Sequence, residues 1–265
     1  MNRFWIILPV IAVMLIAAVF IGGCGGRDAN YILVGIDNNP PYTFINHPVV
    51  EVVNENGVNL TPNNEMILYT GFDIDVIAAV ASKAGLKIEY RETPFASLLP
   101  QIEQGNIDVA IGGISVTEER KKKVEFTVPY AKGGACVVVF QGDNINNIDD
   151  LAGKVIGAEI GTTMIDQAKD IKGASINGYN KEQDLFLALY NGDIDALVMD
   201  KMSAEYYIKE RKIKRLKIID MLSEENFAMV VKSGNQKLAD KLNQALIDME
   251  KSGELKTIYD KWFAR

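Results

Sequence analysis

At 265 residues, with 48% hydrophobic and 24% charged side chains, the chain has apolar material for two compact lobes and too much of it for intrinsic disorder. The formal net charge of −7 excludes nucleic acid as a partner, because phosphate binding relies on clustered Lys and Arg. The basic run Arg120 to Lys123 is short and follows two acids, so it reads as one helix face.

The first residues behave differently from the rest. Arg3 precedes an uncharged apolar run from Phe4 to Ile21, followed at once by Gly-Gly-Cys24-Gly-Gly. The run is just long enough to span a bilayer, so a retained helix is the alternative. A positive start, an apolar middle and a small-residue exit instead mark a secretory signal. Ile21-Gly22-Gly23-Cys24 resembles the bacterial lipobox, which implies a signal peptide over residues 1–23 and lipid attachment at Cys24. Residues 24–30 then form a tether. Cys136 is left without a disulfide partner and reads as a buried thiol in the strand ACVVVF. The single His47 has no Cys or His beside it, so no metal site is expected, and no cofactor.

YILVGID begins as a strand, and NNPPYTF bends extended because paired prolines forbid a helix. Residues 45–70 contain VVEVV and VNL around Asn56-Gly57, the dipeptide of tight hairpins, and read as an inserted surface hairpin. GFDIDVIAAVASKAG has Ile74, Ile77, Ala81 and Ala84 at helical spacing and stops at Gly85. LKIEYRE alternates as a strand, PFASLLPQIEQG is helical, and IDVAIGGI is a buried strand. Beyond residue 130 come strands ACVVVF and KVIGAEI, helix TTMIDQAKDI, extended ASINGY, helix KEQDLFLALYNG, strand DALVMD, helix KMSAEYYIKER and strand LKIIDM. NFAMVVKS reads as one further strand before two closing helices. This alternation predicts an α/β protein with largely parallel sheets and helices on both faces.

Ligands of such sheets gather outside the carboxyl ends of strands. Three strand exits carry complementary chemistry. In IGGISVTEER, Thr117 can cap a helix whose start attracts an anion, and Arg120 can offer it a two-pronged guanidinium. In EIGTTM, Gly161 permits a turn while Thr162 and Thr163 supply hydroxyls at another helix start. In ALVMD, Asp200 ends a strand where it can accept from an ammonium. Positive dipoles and Arg for a carboxylate, with an acid for an amine, match the two ends of an α-amino acid.

VGIDNNPPYTF, GFDIDV, PFASLLPQI, GNIDVAIGGISVTEERKKKVEFTVPY, KVIGAEIGTT and NGDIDALVMD occur in an order and spacing that resemble the amino-acid-binding proteins of bacterial ABC importers, solute-binding family 3. The resemblance runs from about residue 31 to 263. It implies a type II periplasmic-binding-protein fold: two α/β lobes joined by two hinge strands, with the ligand cleft between them. Lobe one would comprise 31–133 plus 224–265 and lobe two 134–223. It further implies that Arg120, Ser115, Thr162 and Thr163 hold the ligand carboxylate, that Gly113 and Asp200 hold the ammonium, and that Phe95 lies along the aliphatic part. The chain departs from the family in having Asn39 where an aromatic is usual, which puts the placement of Asp37 and Tyr42 in doubt, and in the segment 45–70. Glu159 falls at a variable position near Asp37, and two acids there suit a cationic side chain such as arginine or lysine, with glutamine next.

The reading that follows is a monomeric, lipid-anchored extracytoplasmic receptor that passes an amino acid to an ABC permease and its ATPase. The rivals are a cyclohexadienyl or arogenate dehydratase-like enzyme on the same scaffold, for which Glu159 or Asp37 is the candidate general acid but no nucleophile, base and orienting group form a set, and a ligand-sensing lipoprotein without transport.

Overall fold

The computed structural model describes residues 30–46, 53–54, 57–58, 68–209, 213 and 215–264. The stretches read as signal peptide and tether, up to residue 29 and including Cys24, and His47 lie outside the described residues. No helix among the described residues is long and apolar enough to cross a membrane.

The first lobe starts with β1 (Tyr31–Ile36), whose residues after Tyr31 are all buried, as a strand covered on both faces must be. β2 (Phe44–Asn46), β3 (Val53–Asn54), β4 (Gly57–Val58) and β5 (Leu68–Thr70) follow, β2 pairing antiparallel with β5 and β3 with β4. These nested pairs fall in the segment expected as an insertion; Glu55 and Asn56 between the inner pair lie outside the described residues. α1 (Phe72–Ala84) buries Phe72, Val76, Ile77 and Val80 and ends at a left-handed Gly85 whose N–H returns to the carbonyls of Ala81 and Ser82. β6 (Lys87–Glu92) then runs parallel to β1. α2 (Phe95–Gln104), β7 (Val109–Ala110), α3 (Glu118–Lys121), β8 (Val124–Phe126) and β9 (Ala131–Gly133) complete this part of the chain. The expected strand IDVAIGGI is cut to two residues because Gly113 turns left-handed and gives its N–H to the buried Asp73 instead of a neighbouring strand.

The second lobe contains β10 (Ala135–Phe140), a 3-10 turn (Ile148–Leu151), β11 (Val155–Glu159), α4 (Thr163–Lys169), β12 (Ser175–Tyr179), α5 (Glu182–Asn191), β13 (Ala196–Asp200), α6 (Lys201–Lys209) and β14 (Leu216–Met221). Its sheet runs β12-β11-β13-β10-β14, with β11 parallel to both neighbours and β10 antiparallel to both of its own.

The chain then leaves through β15 (Glu225–Phe227), re-enters the first lobe as β16 (Val230–Lys232), and ends in α7 (Gln236–Ser252) and α8 (Glu254–Phe263). NFAMVVKS is therefore two strands, not one. Glu225–Phe227 pair antiparallel with β9 in the crossing between lobes, whereas Val230–Lys232 pair with β7 and β8, so the chain changes sheets at Ala228 and Met229. The first sheet is ordered β6-β1-β7-β16-β8. Each lobe keeps its own core. In the first, Phe72 meets the rings of Tyr42, Tyr130, Tyr259 and Phe263, and α8 is pinned where Trp262 Nε1 and Lys261 Nζ donate to Asp75 at 2.7 and 2.6 Å.

Candidate functional site

The exits of β7, β11 and β13 face one another across a cleft between the lobes. Its walls come from both lobes: Tyr42, Phe95, Gly113 and Ser115 from the first, Glu159, Thr162, Thr163, Glu182 and Asp200 from the second, and Phe227 from the crossing strand. The lobes touch around it. Tyr42 Oη donates to Asp200 Oδ1 at 2.7 Å, Ser203 Oγ to the Pro40 carbonyl at 3.1 Å, and Gln183 Nε2 to the Asn38 carbonyl at 3.2 Å. Asn39, the residue in place of the usual aromatic, also lines this wall.

One end is rich in donors. Thr117 caps α3, its side chain accepting from Arg120 N at 3.1 Å, and this short helix start aims the Arg120 side chain at the second lobe. The guanidinium donates to the Ser115 carbonyl at 2.8 Å and to the Gly161 carbonyl at 2.9 Å, which straps the lobes together. Burial lowers its pKa, and Glu225 offsets part of that effect. Thr162 Oγ1 donates to the Glu159 carbonyl, closing the turn into α4. The hydroxyls of Ser115 and Thr163 both hydrogen-bond the Glu225 carboxylate, which also accepts from Gln167 and Ser223. Glu225 thus holds two of the three hydroxyls, Ser115 and Thr163, that the resemblance implies as carboxylate ligands.

The middle of the cleft carries Asp200. Oδ1 accepts from Tyr42 and from the first free N–H groups of α6, Met202 N at 2.8 Å and Ser203 N at 3.2 Å; Oδ2 accepts Gly134 N at 3.2 Å. Burial raises its pKa, and these four donors hold it back. Opposite it, Gly113 N donates to Asp73 Oδ2 at 2.9 Å, and burial lifts that carboxyl to about 7. This contact fixes the left-handed turn (φ 60°) through which Gly113 borders the cleft.

The other end is acidic. Asp37 accepts from Asn38 N at 2.8 Å and Phe95 N at 2.9 Å, so it also caps α2. Burial raises its pKa, with Phe95 N, Asn38 N and Lys181 pulling it back. Glu159 ends β11 beside it and is pushed up to about 8 by burial and by Asp37. Glu182 opens α5, is 6% exposed, and has an oxygen, Oε2, without a hydrogen-bond partner. Glu159, Glu182 and Asn39 line both the central cleft and an adjoining chamber that Asp37, Glu92 and Lys181 complete.

Gly161 faces Ala96 of the opposite lobe so closely that a Cβ there would lie 2.8 Å from Ala96 Cα, at φ 85°. Gly161→Ala is expected to cost roughly 1–2 kcal/mol of backbone strain and to prop the lobes apart. Small-angle scattering with saturating ligand reads the loss of compaction, and calorimetry a weaker affinity; a variant that closes and binds like the wild type removes Gly161 from the closing surface.

A family model for bacterial extracellular solute-binding proteins, family 3, matches residues 54–265. The chain belongs to this family. This solute-binding protein is 30% identical over 197 residues to the arginine-binding extracellular protein ArtP of Bacillus subtilis, covering 73% of its own length and 77% of that protein. It is 27% identical over 197 residues to the L-cystine-binding protein TcyJ of Escherichia coli K12, covering 73% and 74%. Among solved structures, an ancestral arginine-binding protein bound to arginine matches with a TM-score of 0.76 at 34% identity, over 88% of this chain and 98% of that one. The two α/β lobes described above are the architecture of these periplasmic amino-acid-binding proteins.

In this solute-binding protein Tyr42, Phe95, Gly113, Ser115, Glu159, Thr162, Thr163 and Asp200 come together around the central cleft, Asp37 sits in the adjoining chamber, and Arg120 lies just outside, on the strap. Glu182 and Glu225 were not foreseen. Glu182 follows the exit of β12, so the strand-exit rule extended to a fourth strand finds it. Glu225 meets Ser115 across 110 residues, and no local pattern signals that contact.

Proposed function

We propose that the chain is a lipid-anchored, monomeric receptor that captures an L-amino acid with a cationic side chain, such as arginine or lysine, and delivers it to an ABC permease and its ATPase. The observation that carries the ligand class is the acidic end of the cleft, where half-buried Glu159 and buried Glu182 face Asp37, with Lys181 lining the same chamber. Carboxylates crowded out of water lose stability unless a cation joins them.

In this reading the ligand carboxylate lies at the donor end, near Arg120, Ser115, Thr162 and Thr163, and its ammonium bonds to Asp200 and the Gly113 carbonyl. Phe95 covers the methylene chain. Because these groups belong to different lobes, the ligand contacts all of them only in the closed form, and that difference in contacts drives closure. A dehydratase reading fits less well: prephenate and arogenate each carry a second carboxylate, which the acidic end repels.

Titration calorimetry of the full chain in detergent, unfolded and refolded to strip carried-over ligand, tests the proposal against the standard amino acids with ornithine and citrulline. Tight binding of arginine, lysine or ornithine is the expected result. A neutral amino acid as the tightest ligand keeps the receptor and overturns the cationic class. No binding across the panel, with aromatic product formed from prephenate or arogenate, overturns the receptor.

A further inference from the structure

Glu182 differs from Asp37 and Asp200 in its hydrogen bonding. Asp37 has both oxygens engaged by backbone N–H groups, and Asp200 accepts four donors. Tyr207 and Ser203 of α6 lie against the Glu182 carboxyl, yet its Oε2 has no hydrogen-bond partner, and the residue is 6% exposed. Buried acceptors left unmatched are rare and costly, so such an atom on a cleft wall points to a donor from outside the chain.

The surroundings define that donor. The titratable and charged groups around Glu182 are Glu159 at the end of β11, Asp200 at the end of β13, Tyr207 on α6, Lys181 beside it in sequence, and Asp37 and Glu92 from the first lobe. The field is negative and the donor is therefore a cation. The same wall carries Leu185 and Met164, with the Phe95 ring across from it. A guanidinium is planar, weakly hydrated and carries five N–H donors, so it can serve two carboxylates while lying against apolar surface; an ammonium is compact and strongly hydrated.

We propose that Glu182 is a specificity-determining residue which, with Glu159, forms a two-carboxylate receiver for a guanidinium and so selects arginine over lysine, ornithine and citrulline. This rests on the cationic-ligand reading above. Burial raises the pKa of both carboxyls, at Glu159 to about 8, which favours their protonated forms in the empty cleft. Guanidinium entry ionises them, protons leave, and affinity rises with pH toward the value of about 8 at Glu159.

Calorimetry of the full chain with arginine, lysine and citrulline, in buffers of different ionisation enthalpy, tests this on the wild type, Glu182→Gln and Glu182→Asp. The wild type is expected to prefer arginine and release protons on binding it. Glu182→Gln is expected to weaken arginine by roughly 30-fold or more, as loss of one partner of a buried charge pair does, to release fewer protons, and to leave citrulline nearly unchanged. Glu182→Asp, which keeps the charge but withdraws it, is expected to narrow the preference for arginine over lysine, and decides the matter if the Gln variant does not fold. A wild type that binds arginine, with variants of equal affinity, preference and proton release, overturns the role of Glu182 and leaves the receptor standing. A wild type that binds no cationic amino acid fails at the reading beneath it and overturns both.

Discussion

Arg120→Ala is expected to weaken amino-acid binding at least roughly 30-fold, the lower end of the 2–5 kcal/mol that follows when one member of a buried charged pair is removed. Two effects contribute. The guanidinium is the cation at the donor end of the cleft, where Glu225 already occupies the Ser115 and Thr163 hydroxyls, so a ligand carboxylate there depends on Arg120 for its charge. It also straps Ser115 to Gly161, and its loss opens the lobes. A thermodynamic cycle separates the two. If Arg120 binds the carboxylate, the amino acid loses far more affinity than its α-amide on mutation. Equal losses for acid and amide would reduce Arg120 to a strap. Arg120→Lys keeps the charge without the fork and is expected to fall between.

Asp200→Ala is expected to abolish measurable binding at micromolar ligand and to lower stability. Oδ2 accepts only Gly134 N among the described contacts, which leaves room on that oxygen for an ammonium; without the carboxylate the ammonium loses its direct partner in a buried site. Stability falls by about 1–3 kcal/mol because the buried Tyr42 hydroxyl loses its acceptor. Asp200→Asn retains an acceptor for Tyr42 while removing the charge. It is expected to restore most of the melting temperature and little of the affinity, measured by thermal denaturation and calorimetry. Recovery of both together would make Asp200 structural only.

Much of this site is legible in the chain because its geometry is local. A strand ending in Asp200 before α6, a Thr117 cap before Arg120 and a left-handed Gly161 between β11 and α4 each follow from a few adjacent residues. The core alternation likewise reads directly from hydrophobic spacing. What escapes is set by distant partners. Asp37 looks like a free ligand acid in sequence, yet Phe95 N, 58 residues away, turns it into a helix cap. NFAMVVKS carries an unbroken apolar run from Phe227 to Val231, and only its two separate strand partners divide it. Glu182 sits in the polar run NKEQD, where nothing marks a burial that arises from packing between α5, α6 and the opposite lobe.

The place of β16 in the first sheet bears on how the molecule is made. Val230–Lys232 lie between β7 and β8, so β8 has no sheet neighbour until the ribosome has passed residue 230, whereas every strand of the second sheet is already synthesised by Met221. The lobe that starts first is completed last. During synthesis its earlier strands stand as an open sheet edge, the form of chain that pairs wrongly with others, and β16, β15 and the closing helices are the pieces that end that exposure.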